Sequence, residues 1–348
     1  MKVGILTFHF AHNYGAVLQC FALQKYLQNR GHEVFIIDYA KRCLVDYYAW
    51  WNYKRIIRKN FLKGVREIFL LPFRKKRFTS FESFQKKIFK LATPEKVDCF
   101  VIGSDQVWNT NITVGFDDMY WGNAPCQRGK NVFSYAASMG DALTKIDKNI
   151  VASHLKNFKK ISVREYDLAQ ELLLCSGQSE IDLVPDPTLL LTEDEWSNLA
   201  DAPLKKDSYI LVYQVRASIK VKKIAEAVSR QLGKKIIYLS PDLAMKNSCV
   251  SLTSSPENFL GLIKNAAFVV TSSFHGTVFS ILFKKQFLCV KLNDGCDARS
   301  LTLLESVDLK DHFVESFQIM PTCDWNVVNE KLNQLKEKSL SFFEKCDL

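Results

Sequence analysis

The sequence predicts an α/β protein of two Rossmann-like domains facing across a cleft. Three observations predict it. The chain has 348 residues, too many for one typical domain and about right for two. A strand–loop–helix–strand order opens the chain and begins again near Ser208. Polar residues collect just after the apolar runs, which is where open parallel sheets place their ligands.

The first half reads in order. Residues 3–8 form an apolar run suited to a buried parallel strand, and 16–27 repeat their apolar positions at a helical period before Gly31 ends the helix. A strand over 33–39 completes the first βαβ unit. Strands over 97–103, 131–137 and 161–163, a helix over 148–158, and a strand end with a proline turn at 183–188 extend the sheet. The domains meet around 192–207. The second half then offers strands at 209–214, 235–239, 267–271 and 286–290. Helices fall at 221–232, 256–266 (capped by Ser255, with Pro256 at the first helical position) and 277–283. The expected boundaries are 1–195 for the N-terminal domain, with a basic-aromatic helical insertion over 46–92, and 205–320 for the C-terminal domain. A final helix within 325–348 is expected to pack back on the N-terminal half.

Composition narrows the class. A hydrophobic fraction of 47% with 24% charged residues fits an ordinary globular core and excludes a disordered chain. The ten cysteines have no CxxC pair and sit mostly in apolar runs, as Cys99 and Cys289 do. They read as reduced, buried thiols in a reducing compartment, and no metal site is expected. No run approaches 18 uncharged apolar residues, and the opening reads as a strand rather than a leader peptide. A cytoplasmic protein is the expectation.

The net charge of +10 concentrates between Lys54 and Lys90, where Arg74, Lys75, Lys76 and Arg77 mix with Phe73, Phe78, Phe81 and Phe84. Three readings compete: a solvated helical face, contact with an anionic membrane surface, or nucleic acid. No nucleic-acid motif accompanies the charge, so no nucleic-acid partner is expected.

The strand ends supply the candidate residues. The loop His12-Asn13-Tyr14-Gly15 opens a helix; it is either a turn capped by Asn13 or a set of amides that attracts an anion. It lacks the G-x-G-x-x-G and phosphate-loop patterns, which removes the main support for a nicotinamide cofactor or ATP. Asp105, after Gly103-Ser104, either caps the next segment or binds sugar hydroxyls and acts as a base. Asn109 and Ser138 follow strands in the same way. Arg164 ends an apolar strand and must point into a cleft or pair with Glu165 or another acid. Ser272, Ser273, His275, Gly276 and Thr277 fall at a helix start. They are either a hydroxyl cap with a packed histidine or an anion site with a proton donor. Arg216 and Arg299 are further cations, each readable as a surface ion-pair partner.

Six segments also resemble the polysaccharide pyruvyl transferase family: Thr7 to Gln19, Gly103 to Asn109, Tyr135 to Ser138, Ser162 to Glu165, Asp186 to Thr188, and Ser273 to Thr277. They lie in order over about residues 1–310. The resemblance implies a fold like that of GT-B glycosyltransferases. It also implies transfer of a pyruvyl group from phosphoenolpyruvate to two sugar hydroxyls as a cyclic ketal, in surface polysaccharide biosynthesis. Phosphoenolpyruvate is then a co-substrate, and no cofactor is implied. The acceptor is a sugar or lipid-linked oligosaccharide, and the basic-aromatic region would lie on the inner face of the cytoplasmic membrane. His275 matches the family histidine, implied in donor phosphate binding or proton transfer. Arg164 and Arg299 would hold the donor with Ser272, Ser273, Gly276 and Thr277, and Asp105 would serve as acceptor base. One departure is visible: members often carry an arginine two residues before that histidine, where this chain has Ser273. A glycosyltransferase using a nucleotide sugar and a non-catalytic carbohydrate- or anion-binding protein are the alternatives.

Overall fold

The computed structural model describes residues 1–50, 61–140, 148–177, 180–201, 205–239, 254–293, 297–317 and 321–348. The chain divides into two compact units. One holds Met1–Val45, Gln85–Leu191 and Glu330–Leu348; the other holds Asp46–Phe84 and Thr192–Asn329. The basic-aromatic insertion was expected within the N-terminal domain, yet up to Phe84 it groups with the second unit. Pattern reading follows chain order and cannot see where an inserted helix packs.

In the first unit seven parallel strands form one sheet: β1 (Lys2–Leu6), β2 (Glu33–Ile37), β3 (Leu91–Ala92), β4 (Cys99–Asp105), β5 (Asn131–Ala137), β6 (Lys160–Val163) and β7 (Asp182–Leu183). Their order is β3-β2-β1-β4-β5-β6-β7. In β1 every residue after Lys2 is buried, and β4 is buried up to Ser104, as a sheet covered on both faces requires. The direction in which the chain lays down strands reverses between β1 and β4, which register Val3 on Cys99 and Leu6 on Ile102. Their carboxyl ends, which run into Thr7 and Asp105, therefore flank the crevice where doubly wound sheets bind ligands.

From Glu330 onward the last helix, Trp325–Lys345, returns to this unit as expected. Phe343 stacks on Tyr135 with ring centroids 4.7 Å apart. The Tyr135 hydroxyl lies 2.9 Å from Ser339 Oγ and donates to the Pro185 carbonyl. Arg30 Nε donates to the Leu348 carbonyl at 2.9 Å, and Lys345 pairs with Glu180 and Asp182.

The second unit has five parallel strands: β8 (Tyr209–Tyr213), β9 (Lys235–Leu239), β10 (Phe268–Thr271), β11 (Phe287–Val290) and β12 (Phe313–Val314), in the order β12-β11-β10-β8-β9. Its switch point lies between β8 and β10. The core joins Ile210, Val212, Val270 and Leu288 to Val221, Ile224 and Val228 of the helix Ile219–Leu232. That helix ends at Gly233 in the left-handed conformation (φ 63°), as its sequence predicts. The helix Pro256–Lys264 carries the expected Ser255 cap, which accepts from Asn258 N.

The expected joint at 192–207 proved partly helical. Thr192 and Glu195 form a reciprocal capping box that starts Glu193–Leu199, and the buried Trp196 packs edge-on to Phe279 at 4.9 Å.

Candidate functional site

Each unit presents its own group of candidate residues at its switch point. In the first unit, side chains tie the strand ends together before any chemistry is offered. Thr7 Oγ1 donates to the Ser104 carbonyl, Gln19 Nε2 donates to Thr7 Oγ1, and Ser104 Oγ donates to the Ala136 carbonyl. Asp105 follows with φ 72°, a left-handed conformation that aspartate tolerates better than most residues. Its Oδ1 accepts from Gln106 N at 2.9 Å, and its carbonyl accepts from Ser138 N at 3.1 Å.

Arg164 is the centre of this group. Its side chain is 3% exposed and faces three carboxylates: Asp186 at 2.9 Å, Glu165 at 3.2 Å and Asp105 at 3.6 Å. Burial opposes its charge, but Glu165, Asp186 and Asp105 outweigh burial and hold the guanidinium pKa above its ordinary value. Asp186 is the anchoring partner, fully buried and bonded to Thr188 N and Oγ1. Glu165 Oε1 also accepts from Ser138 Oγ at 2.6 Å, while Glu165 Oε2 is buried and takes no hydrogen bond. Asp105 and Glu165 retain 19% and 18% side-chain exposure.

Of the two readings of the loop at 12–15, a turn capped by Asn13 or a set of open amides, the cap holds at two positions. Asn13 Oδ1 accepts from Gly15 N at 2.9 Å and from Ala16 N at 3.4 Å, closing the start of the helix Tyr14–Asn29. Tyr14 and Gly15 are buried within that first turn, and His12 is half-buried beside it. Asn109 caps the short helix Thr110–Thr113 and donates to Gln106 Oε1. Ser138 braces Glu165 and accepts from Gly140 N.

In the second unit the helix starts three residues earlier than expected, as Phe274–Leu282, so His275 and Gly276 lie in its first turn. Ser273 is the N-cap residue, but its side chain makes no capping hydrogen bond. Its backbone is fixed instead: Ser273 N donates to Thr271 Oγ1, which donates to the Tyr213 carbonyl, and Ser273 O accepts from Thr277 Oγ1. Ser272 N donates to the same Tyr213 carbonyl. Gly276 lets the helix approach the sheet. A Cβ there would collide with Thr271 Oγ1 and come within 2.8 Å of the Tyr213 ring. His275 is buried and meets Phe274 edge-on at 5.2 Å. Arg299, from the helix Asp297–Ser306, places its guanidinium 5.8 Å from the Phe274 ring centroid. Arg299 thus joins this group, and Arg216 is an exposed residue beyond β8.

Sequence reading offered Glu165 as a partner for Arg164 and placed Asp186 after a strand, but it did not see that Asp186 and Asp105 also meet that guanidinium. The signal was present in Ser-Val-Arg-Glu and Asp-Pro-Thr, but which acids reach Arg164 is set by sheet order. The aromatics of the basic stretch divide by burial. Phe81 and Phe84 are 0% and 1% exposed, so they belong to a core, whereas Phe73, Lys75 and Lys76 are exposed. Residues 51–60 and the side chains of 61–69 lie outside the described residues. Among the described residues no helix is long and apolar enough to cross a membrane.

Fold and site define an α/β protein of two doubly wound units, each with polar side chains gathered at its switch point. The chain belongs to the polysaccharide pyruvyl transferase family, whose model matches residues 13–294. Comparison with curated proteins gives no match. Among solved structures, the UDP-GlcNAc 2-epimerase from Neisseria meningitidis bound to UDP-GlcNAc is 11% identical, at TM-score 0.48, with 100% of this chain and 94% of that one covered. The S. aureus MnaA–UDP co-structure is 13% identical, at TM-score 0.46, covering 99% and 90%. The E. coli ADP-heptose LPS heptosyltransferase II is 10% identical, at TM-score 0.41, covering 98% and 100%.

Proposed function

We propose that this protein transfers the pyruvyl group of phosphoenolpyruvate to two hydroxyls of a sugar, forming a cyclic ketal and releasing phosphate. Family membership supports the reaction class. The observation that carries the donor assignment is the setting of His275. It sits in the first turn of a helix that the Ser273 side chain does not cap, with the Arg299 guanidinium against the adjoining Phe274 ring. A helix start and a guanidinium together suit a donor bearing a carboxylate and a phosphate. Arg299 takes over the cationic role that the family often gives to the position of Ser273.

The chemistry needs a proton at the donor's methylene carbon, which leaves positive charge at the central carbon for a hydroxyl to attack. One hydroxyl proton balances the new methyl group and the other leaves with phosphate. His275 is the group assigned to hold or deliver a proton at the donor.

Phosphoenolpyruvate at 100 times its Kd should stabilise the protein by about 2.7 kcal/mol in a thermal melt. With phosphoenolpyruvate and lipid-linked sugars, phosphate should be released, and His275→Ala should lower that turnover by roughly 10²–10⁴-fold. Stabilisation by a nucleotide sugar and not by phosphoenolpyruvate would refute the donor and favour glycosyl transfer.

The acceptor in this reading is a sugar or lipid-linked oligosaccharide of a surface polysaccharide. The exposed Phe73, Lys75 and Lys76 would rest on the membrane that carries it.

A further inference from the structure

Resting on that reading, we propose that Arg164 does not bind the donor and is instead the buried counter-ion that positions Asp105 and Glu165 to accept hydrogen bonds from the two acceptor hydroxyls. The geometry gives three reasons. First, the guanidinium is committed: NH1 reaches Asp186, Nε reaches Glu165 and NH2 faces Asp105, with the side chain 3% exposed. Second, these four groups carry three formal negative charges and one positive. A doubly anionic donor placed there would meet an excess of two like charges, whereas neutral hydroxyls would meet acceptors. Third, two acceptor oxygens lack a donor. Glu165 Oε2 is buried and takes no hydrogen bond, and Asp105 Oδ2 takes none from any described residue, although both Oδ1 and Oε1 are engaged.

The roles divide among the three acids. Asp186, fully buried and held by Thr188, fixes Arg164. Asp105 and Glu165, each about one-fifth exposed, reach outward from it. Ser138 sets the Glu165 carboxylate from its other side. A ketal needs two hydroxyls, and the site holds two such carboxylates on one counter-ion.

Calorimetric titration of wild type, Arg164→Lys, Asp105→Asn, Glu165→Gln and Arg299→Ala with phosphoenolpyruvate tests this. Parallel titration by saturation-transfer NMR uses methyl β-galactopyranoside and methyl α-glucopyranoside. The first three variants should bind phosphoenolpyruvate within about twofold of wild type and the hexosides about tenfold or more weakly, as loss of charged hydrogen bonds implies. Arg299→Ala should show the reverse pattern. A folded Arg164→Lys that loses phosphoenolpyruvate as Arg299→Ala does would overturn the inference and leave the donor reading standing. Hexoside affinity unchanged in Asp105→Asn and Glu165→Gln, or absent in wild type, also overturns it. If Arg164→Lys does not fold, the two carboxylate variants decide. Wild type that binds hexosides through these carboxylates but not phosphoenolpyruvate removes the donor reading alone.

Discussion

At the scale of single residues, burial determines what a titratable group can do. His9 and His312 are 5% and 1% exposed, and burial lowers both pKa values, more than their backbone carbonyl partners raise them. In the unfolded chain each protonates near pH 6.5, whereas in the folded chain each stays neutral further into acid. Stability is therefore complete above about pH 6.5 and falls below it, by up to about 1.4 kcal/mol per pH unit for each group. Melting midpoints at pH 7.5 and 5.5 should differ in wild type and differ less in His312→Gln. The same scale shows how far the site could be read in advance. The position of every candidate after a strand was legible, because apolar runs mark strand ends. Partners close in sequence were legible too: Asn13 caps its helix through Gly15 N and Ala16 N, and Arg164 meets adjacent Glu165. The acids 22 and 59 positions away in the chain, Asp186 and Asp105, were not. Such choices depend on sheet order, which single residues do not encode.

At the scale of elements, the helix Phe274–Leu282 depends on close contact with β8 and β10. Gly276→Ala would force its Cβ against Thr271 and the Tyr213 ring. Overpacking of this kind costs about 1–3 kcal/mol, so denaturant unfolding should show that loss, together with weaker phosphoenolpyruvate binding. The basic helix Phe61–Ile88 gives a second expectation. Replacing Lys75 and Lys76 by glutamate should abolish binding to vesicles rich in phosphatidylserine; unchanged binding would remove this surface as a membrane contact. Both helices were visible as patterns, but their limits were set by details. The first begins at Phe274 because Ser273, with φ −106° and ψ 133°, is still extended and stands as the cap. The helix Glu193–Leu199 was read as a joint although Thr192-x-x-Glu195 marks a capping box and Trp196 supplies a buried anchor.

At the scale of the whole molecule, each unit has its own sheet, and Phe343 stacks on Tyr135 within the first unit. Truncating it to alanine should cost about 3–5 kcal/mol. In calorimetry, Phe343→Ala should lower the transition of the first unit and leave that of the second in place. Two doubly wound units were legible because the strand–helix grammar repeats. The return of Glu330–Leu348 to the first unit was expected, but the membership of Asp46–Phe84 was not, because that segment groups with the unit that is distant in sequence. That return has a consequence for synthesis. About 140 residues separate Leu191 from Glu330, which a ribosome needs roughly 10–30 s to add. Through that interval the nascent sheet carries Tyr135 without its covering aromatic, so the half begun first is the half finished last. A stalled or prematurely terminated chain would display that apolar face to chaperones even when the later-made half is already folded.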